Sequence, residues 1–135
     1  MIQETKKNSQ EIGKMIQKLK NYEGLALEAT RTSGGICTLW KKGKWEMANQ
    51  KIGKHWIKID LKDLSTKENY NLINIYAPYH YKEKEQCWNS VKEVLIESQK
   101  IILEGDLNLV RKIEEKFGGT YHADPSREAL EEIME

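Results

Sequence analysis

Lys100-Ile-Ile-Leu-Glu-Gly-Asp-Leu-Asn108 is an apolar run that halts at a glycine and then presents Asp106 and Asn108. Strand side chains repeat with period two, so the stretch predicts a strand whose end sets both polar side chains on one face. A carboxylate beside an amide, next to a Gly105 that lets a substrate come close, suits the handling of a water and a phosphate oxygen. Near the N-terminus, Ile2-Gln-Glu-Thr-Lys6 makes a second apolar-to-acidic transition, with Glu4 as a candidate metal ligand. Two acidic strand ends in the first and last thirds of the chain, without a His/Cys cluster, point to a hard-cation site built from oxygen donors.

Four motifs then fall in order: Gln3-Glu-Thr-Lys6, Ser33-Gly-Gly-Ile36, Asn74-Ile-Tyr-Ala-Pro78 and Glu104-Gly-Asp-Leu-Asn108. Each alone is a weak signal; the ordered set is specific. Together they resemble the endonuclease/exonuclease/phosphatase superfamily, in particular the endonuclease domain of plant-type non-LTR (LINE-like) retrotransposons. The resemblance implies a four-layer α/β sandwich, two packed mixed β-sheets flanked by helices. It further implies a Mg²⁺-dependent (or Mn²⁺-dependent) phosphodiester hydrolase acting on DNA through its phosphate backbone. The family pattern opens with an asparagine-bearing strand upstream of Gln-Glu-Thr and closes on a Ser-Asp-His-type motif that supplies the general base. Neither is found between Met1 and Glu135. The expectation is therefore a single incomplete domain over residues 1–135, lacking the first and last strands, weakly active or inactive. The alternative is a non-catalytic retroelement relic with at most weak nucleic-acid binding.

Composition narrows the classes. The length of 135 residues allows one domain with a core. Charged residues make up 32% yet the formal net charge is only +1, so no bulk field announces a nucleic-acid partner. Lysines do gather at Lys41-Lys-Gly-Lys44, Lys51 and Lys54 beside tryptophans, compatible with a phosphate-contact surface. They are equally compatible with hairpin rims where lysine blocks edge pairing. Cys37 and Cys87 form no CxxC and read as buried reduced thiols. No long apolar run or lipidation motif points to a membrane. An intracellular location is expected by default, a nuclear one only from the family, and no protein partner is indicated.

Local patterns place the elements. Asn8 and Glu11 form a capping box ahead of Ile12, Met15, Ile16 and Leu19, predicting a helix over 9–20. Leu25-Ala-Leu27, Ile36 to Trp40, Trp45 to Ala48, Trp56 to Leu61 and Tyr70 to Tyr76 read as strands, the last ended by Pro78. Trp88, Val91, Val94 and Leu95 make a helical stripe over 84–98. A strand over 101–103 follows. Asp124 as cap and Pro125 at the first helical position open a last helix carrying Leu130, Ile133 and Met134.

The resemblance assigns roles residue by residue. Glu4 is the metal carboxylate; Asp106 and Asn108 align or deprotonate the attacking water and hold a phosphate oxygen. Tyr76 matches the tyrosine whose phenol meets the scissile phosphate. Ser33, Gly34 and Gly35 match the loop where backbone approaches nucleic acid, with Arg31, Lys41, Lys42 and Arg111 as phosphate contacts. Ordinary alternatives stand beside these: a strand-end turn for Asp106 and Asn108 and a core tyrosine for Tyr76; Asn74, on the same strand face as Tyr76, is either a partner supporting it or simply a polar strand residue. His55, His80 and His122 lack the family's surroundings for the base.

Overall fold

The computed structural model describes residues 1–3, 5–29, 34–95, 100–109, 118–119 and 124–134. Among them the elements run β1 (Ile2–Gln3), α1 (Ser9–Lys18), β2 (Tyr22–Leu27), β3 (Ile36–Lys41), β4 (Trp45–Ile52) and β5 (Trp56–Asp63). Then come β6 (Asn69–Tyr76), α2 (Tyr81–Leu95), β7 (Ile101–Asp106) and α3 (Arg127–Met134). One sheet has the order β1-β3-β2 and is antiparallel; the other has the order β4-β5-β6-β7, with only β6 and β7 parallel.

Period-two alternation assigns the layers. On β5, Ile57, Ile59 and Leu61 join Ile36 and Trp40 of β3 in a core between the two sheets. Trp56 belongs to the opposite face, where Ile73, Ile75, Trp88, Val91 and Leu130 pack the four-stranded sheet against α2 and α3. On the outer side of the smaller sheet, a Cβ on Gly24 would lie 3.0 Å from Ile16 of α1, so the glycine lets that helix settle on β2. The result is helix, sheet, sheet, helices: the four-layer α/β arrangement, with two sheets packed face to face.

Several boundaries move. β4 runs to Ile52 rather than Ala48 and carries a register shift between Met47 and Asn49. Its largely exposed residues gave little hydrophobic alternation to read, and Lys51 sits on this edge strand, where lysine discourages further pairing. Pro125 is not the first residue of the last helix. Asp124 accepts hydrogen bonds from Ser126 N–H (2.9 Å) and Oγ (2.6 Å), a turn that puts the helix start at Arg127.

Both cysteines are free and buried. Burial pushes both thiols up, Cys87 to about 12, so neither is reactive in the native state. Among the described residues no helix is long and apolar enough to cross a membrane.

Candidate active site

Parallel pairing of β6 with β7 sets Tyr76 opposite Asp106 and Ile75 opposite Gly105. Two motifs thirty residues apart in sequence thereby end at one edge of the sandwich. Ala77 N–H extends the ladder by donating to Asp106 O at 2.8 Å. Asn108 then turns back: its Nδ2 donates to Ala77 O at 2.6 Å, and its backbone N–H donates to Asp106 Oδ1 at 3.0 Å. The expectation that Asp106 and Asn108 share a strand face is corrected here. The strand ends at Asp106, and Asn108 lies beyond it in the left-handed region, φ 46°, a conformation asparagine tolerates better than most residues.

Gly105 also has a different task from the one its motif suggested. A Cβ there would fall 1.9 Å from Ile75 O and 2.5 Å from Gln3 Nε2, at φ 149°. The space is taken by the protein's own backbone and amide, not left for a substrate.

Gln3 and Asn74 bind the two sheets together at this end. Gln3 Nε2 donates to Ile75 O (2.8 Å) and Asn74 Oδ1 (3.2 Å); Asn74 Nδ2 donates to Cys37 O (3.2 Å) and Thr38 Oγ1 (3.1 Å). Asn74 is therefore more than a polar strand residue: it is fully buried, and both ends of its amide are satisfied inside the protein. Next along the chain, Thr5 and Lys6 donate their N–H groups to Gly35 O (3.1 Å) and Gly34 O (3.2 Å). The residues flanking Glu4 thus run between the Gly34–Gly35 turn and the Gly105–Asp106 strand end. Thr5 Oγ1 is buried there without a hydrogen-bond partner among the described residues. Glu4, Arg31, Ser33, Arg111 and His122 lie outside the described residues.

A cleft of about 650 Å³ opens over this edge, with Gly34, Gly35, Tyr76 and Asn108 in its walls. Four residues singled out from the sequence (Gly34, Gly35, Tyr76, Asn108) meet in it, and Asp106 is bonded to Asn108. Tyr76 packs into the inter-sheet core from one side, and a Cβ on Gly34 would lie 3.8 Å from its ring. Lys41 is not brought here. It pairs with Tyr22 at the far end of β3, roughly 17 Å along the strand from Ile36 at about 3.3 Å per residue.

Lys54 and His55, which the sequence offered only as a candidate phosphate contact and an unsupported candidate base, also line the cleft, together with Tyr79 and Glu83, which nothing in the sequence singled out. Burial lowers the His55 imidazole below its usual 6.5, the charge of Lys54 lowers it further, and Glu83 partly opposes them. His55 is consequently neutral at neutral pH. Lys84, which reads as a surface lysine in a charged helix, is 2% exposed. Its Nζ donates to Asn108 O at 2.5 Å and to the Asp124 carboxylate, tying α2 to the Asp106–Asn108 turn and to the start of α3. Burial alone would raise the Asp124 carboxyl, but hydrogen bonds from Lys84 and Ser126 outweigh it and hold the group below the usual carboxylate range.

The donor set is oxygen. Asn108 spends its amide nitrogen on Ala77 O, and among the described residues its Oδ1 and the second Asp106 carboxylate oxygen have no hydrogen-bond partner. Among the described residues no group of three or more His, Cys, Asp or Glu side chains could hold a metal. One carboxylate and one amide oxygen suit a hydrated hard cation, which takes one or two protein carboxylates and keeps several waters.

No family model and no curated protein matches the sequence. Solved structures do. An AP endonuclease from Archaeoglobus fulgidus gives a TM-score of 0.71 at 16% identity, covering 98% of this chain and 57% of that one. The 3′ phosphatase NExo from Neisseria, bound to a product DNA hairpin, gives 0.70 at 14% identity over 98% and 58% of the two chains. An endonuclease/exonuclease/phosphatase family protein from Bacteroides thetaiotaomicron gives 0.57 at 13% identity over 74% and 46%. This chain spans about half the length of the structures it matches. At such identities the likeness shows a shared fold and nothing further.

Proposed function

We propose that the chain carries the phosphodiester-hydrolase site of a DNA endonuclease of the retrotransposon type, slow as an isolated polypeptide. The observation that carries this reading is the meeting of Tyr76, Asp106 and Asn108 at one cleft edge, with the residues flanking Glu4 threaded beside them. That NExo, a similar structure, holds a product DNA hairpin supports DNA as the substrate.

Hydrolysis of a phosphodiester needs an oriented water, a proton acceptor and donors for the charged oxygens of the transition state. Asp106 orients the water through its free carboxylate oxygen and takes its proton. Asn108, held from behind by Ala77 and Lys84, keeps its amide at a fixed offset from Asp106. Tyr76 lines the cleft with its ring packed against the inter-sheet core, and its phenol would donate to the phosphate. Mg²⁺, held by Glu4 and waters, would supply charge stabilisation to the phosphate oxygens. Retrotransposon ancestry rests on the ordered motifs, with nuclear action following from it.

Plasmid nicking in Mg²⁺ tests the reading. Slow conversion of supercoiled to open-circular DNA is expected, abolished by EDTA. Asn108→Ala removes the Nδ2–Ala77 O bond that fixes the turn bearing Asp106 and should lower the rate by about 10²-fold, the scale for a displacement of about 1 Å at a positioned group. Nicking that survives Asp106→Ala would remove the assignment. Salt-dependent DNA binding with no nicking at all would favour the non-catalytic relic.

A further inference from the structure

We propose that Tyr79 is a stacking platform for an unpaired nucleobase beside the scissile phosphate, so that the cleft takes an unstacked DNA strand in preference to intact duplex. This rests on the phosphodiesterase reading of the same cleft and specifies the form of its substrate.

Tyr79 is 83% exposed, the most exposed of the large hydrophobic side chains among the described residues. It lines the same cleft as Tyr76 and Asn108, so the exposed residue stands at the rim of the proposed reaction centre rather than on a remote surface. Its backbone is fixed on both sides. Ala77 is bonded through its N–H to Asp106 O and through its carbonyl to Asn108 Nδ2, and Pro78 locks the next φ. On the other side, His80 O accepts from Lys84 N–H at 2.9 Å at the entry to α2. The His80 ring meets Tyr79 edge-on, with centroids 6.0 Å apart. An aromatic ring carried on a segment anchored to the phosphate-handling turn stands at a set distance from that turn. A base one step from the scissile bond can lie on such a ring while its phosphate reaches Asn108.

The surroundings suit a nucleotide more than an apolar ligand. Lys54 offers a cation on the cleft wall for a flanking phosphate, and Pro78 widens the apolar lip beside the ring. Base–aromatic stacking tolerates any sequence, because every base has a π-face. A base inside a duplex has both faces covered and cannot use the platform without first leaving the stack.

The test uses DNA carrying 2-aminopurine, whose fluorescence falls on stacking, bound at low salt with Ca²⁺ in place of Mg²⁺. The expected result is quenching on binding to single-stranded probe, with tighter binding than to duplex of the same sequence. Tyr79→Ala should abolish the quench and weaken single-strand binding about tenfold, within the range for one lost stack, without lowering the melting temperature. Tyr79→Phe should retain both. Quenching that persists in Tyr79→Ala, equal affinity of Tyr79→Ala and wild type, or no DNA binding at low salt overturns the proposal. Absent nicking with intact quenching would sink the hydrolase reading alone; intact nicking with Tyr79-independent binding would sink the platform alone.

Discussion

Gly105→Ala is expected to lose about 4 kcal/mol of stability, near the upper limit for a single substitution. Two costs combine. The residue sits at φ 149°, a region open essentially to glycine, which costs another residue about 1–3 kcal/mol. The new methyl carbon would also stand 1.9 Å from Ile75 O and 2.9 Å from Ile75 C, both backbone atoms of the paired strand β6. Relief requires β7 to move away from β6, which breaks the parallel ladder and displaces Asp106. Gly43→Ala is the matched comparison. That glycine has φ 77° but nothing within 4 Å of its would-be Cβ, so only a conformational cost of about 1–2 kcal/mol applies. Urea unfolding of both variants measures the difference; equal losses would show that the contact with β6 is unimportant.

Lys84→Met is expected to cost about 3 kcal/mol, the lower part of the range for stripping a buried charge of its partner. The choice of the lower part reflects Asp124, whose side chain keeps 19% of its exposure. The loss has a pH signature. Asp124 is held below its ordinary value of 3.8 mainly by Lys84 and Ser126 acting against burial. Its ionised form therefore stabilises the fold above that value, and the contribution disappears as pH falls through the lowered folded pKa. The deficit of Lys84→Met relative to wild type should be full at neutral pH and should shrink below about pH 4. A deficit unchanged down to pH 2 would mean that lost packing, not the ion pair, is responsible. Nicking should fall too, because Lys84 also holds Asn108 O. A displacement of about 1 Å at a positioned group costs on the order of 10²-fold.

The elements were legible where burial is one-sided. β5 declares itself through Ile57, Ile59 and Leu61 against Lys58 and Asp60, and α2 through Trp88, Val91 and Val94. The polar edge strand β4 was shortened because its exposed residues carry little alternation. At the site, ordered motifs located Tyr76, Asp106 and Asn108, which do share one edge. Their local geometry was not legible. A strand-like spacing could not reveal that Asn108 turns back on Asp106, nor that Gly105 makes room for Ile75 and Gln3. Asn74 and Lys84 escaped for a related reason: a polar side chain in a strand or helix looks solvated until the partners brought by the tertiary fold are known. Cys37, Thr38 and Gln3 come from another sheet, and Asn108 and Asp124 from distant loops.

On the proposed reading, the Gln3–Thr5 segment and the Asp106–Asn108 turn share one divalent ion. Paramagnetic Mn²⁺ titrated into isotope-labelled protein, followed amide by amide, reads this without requiring turnover. Broadening should appear first at Gln3, Thr5, Asp106 and Asn108, and should vanish in Glu4→Gln. Sharp signals at those four amides, while residues around Glu46 or Glu128 broaden first, would contradict it.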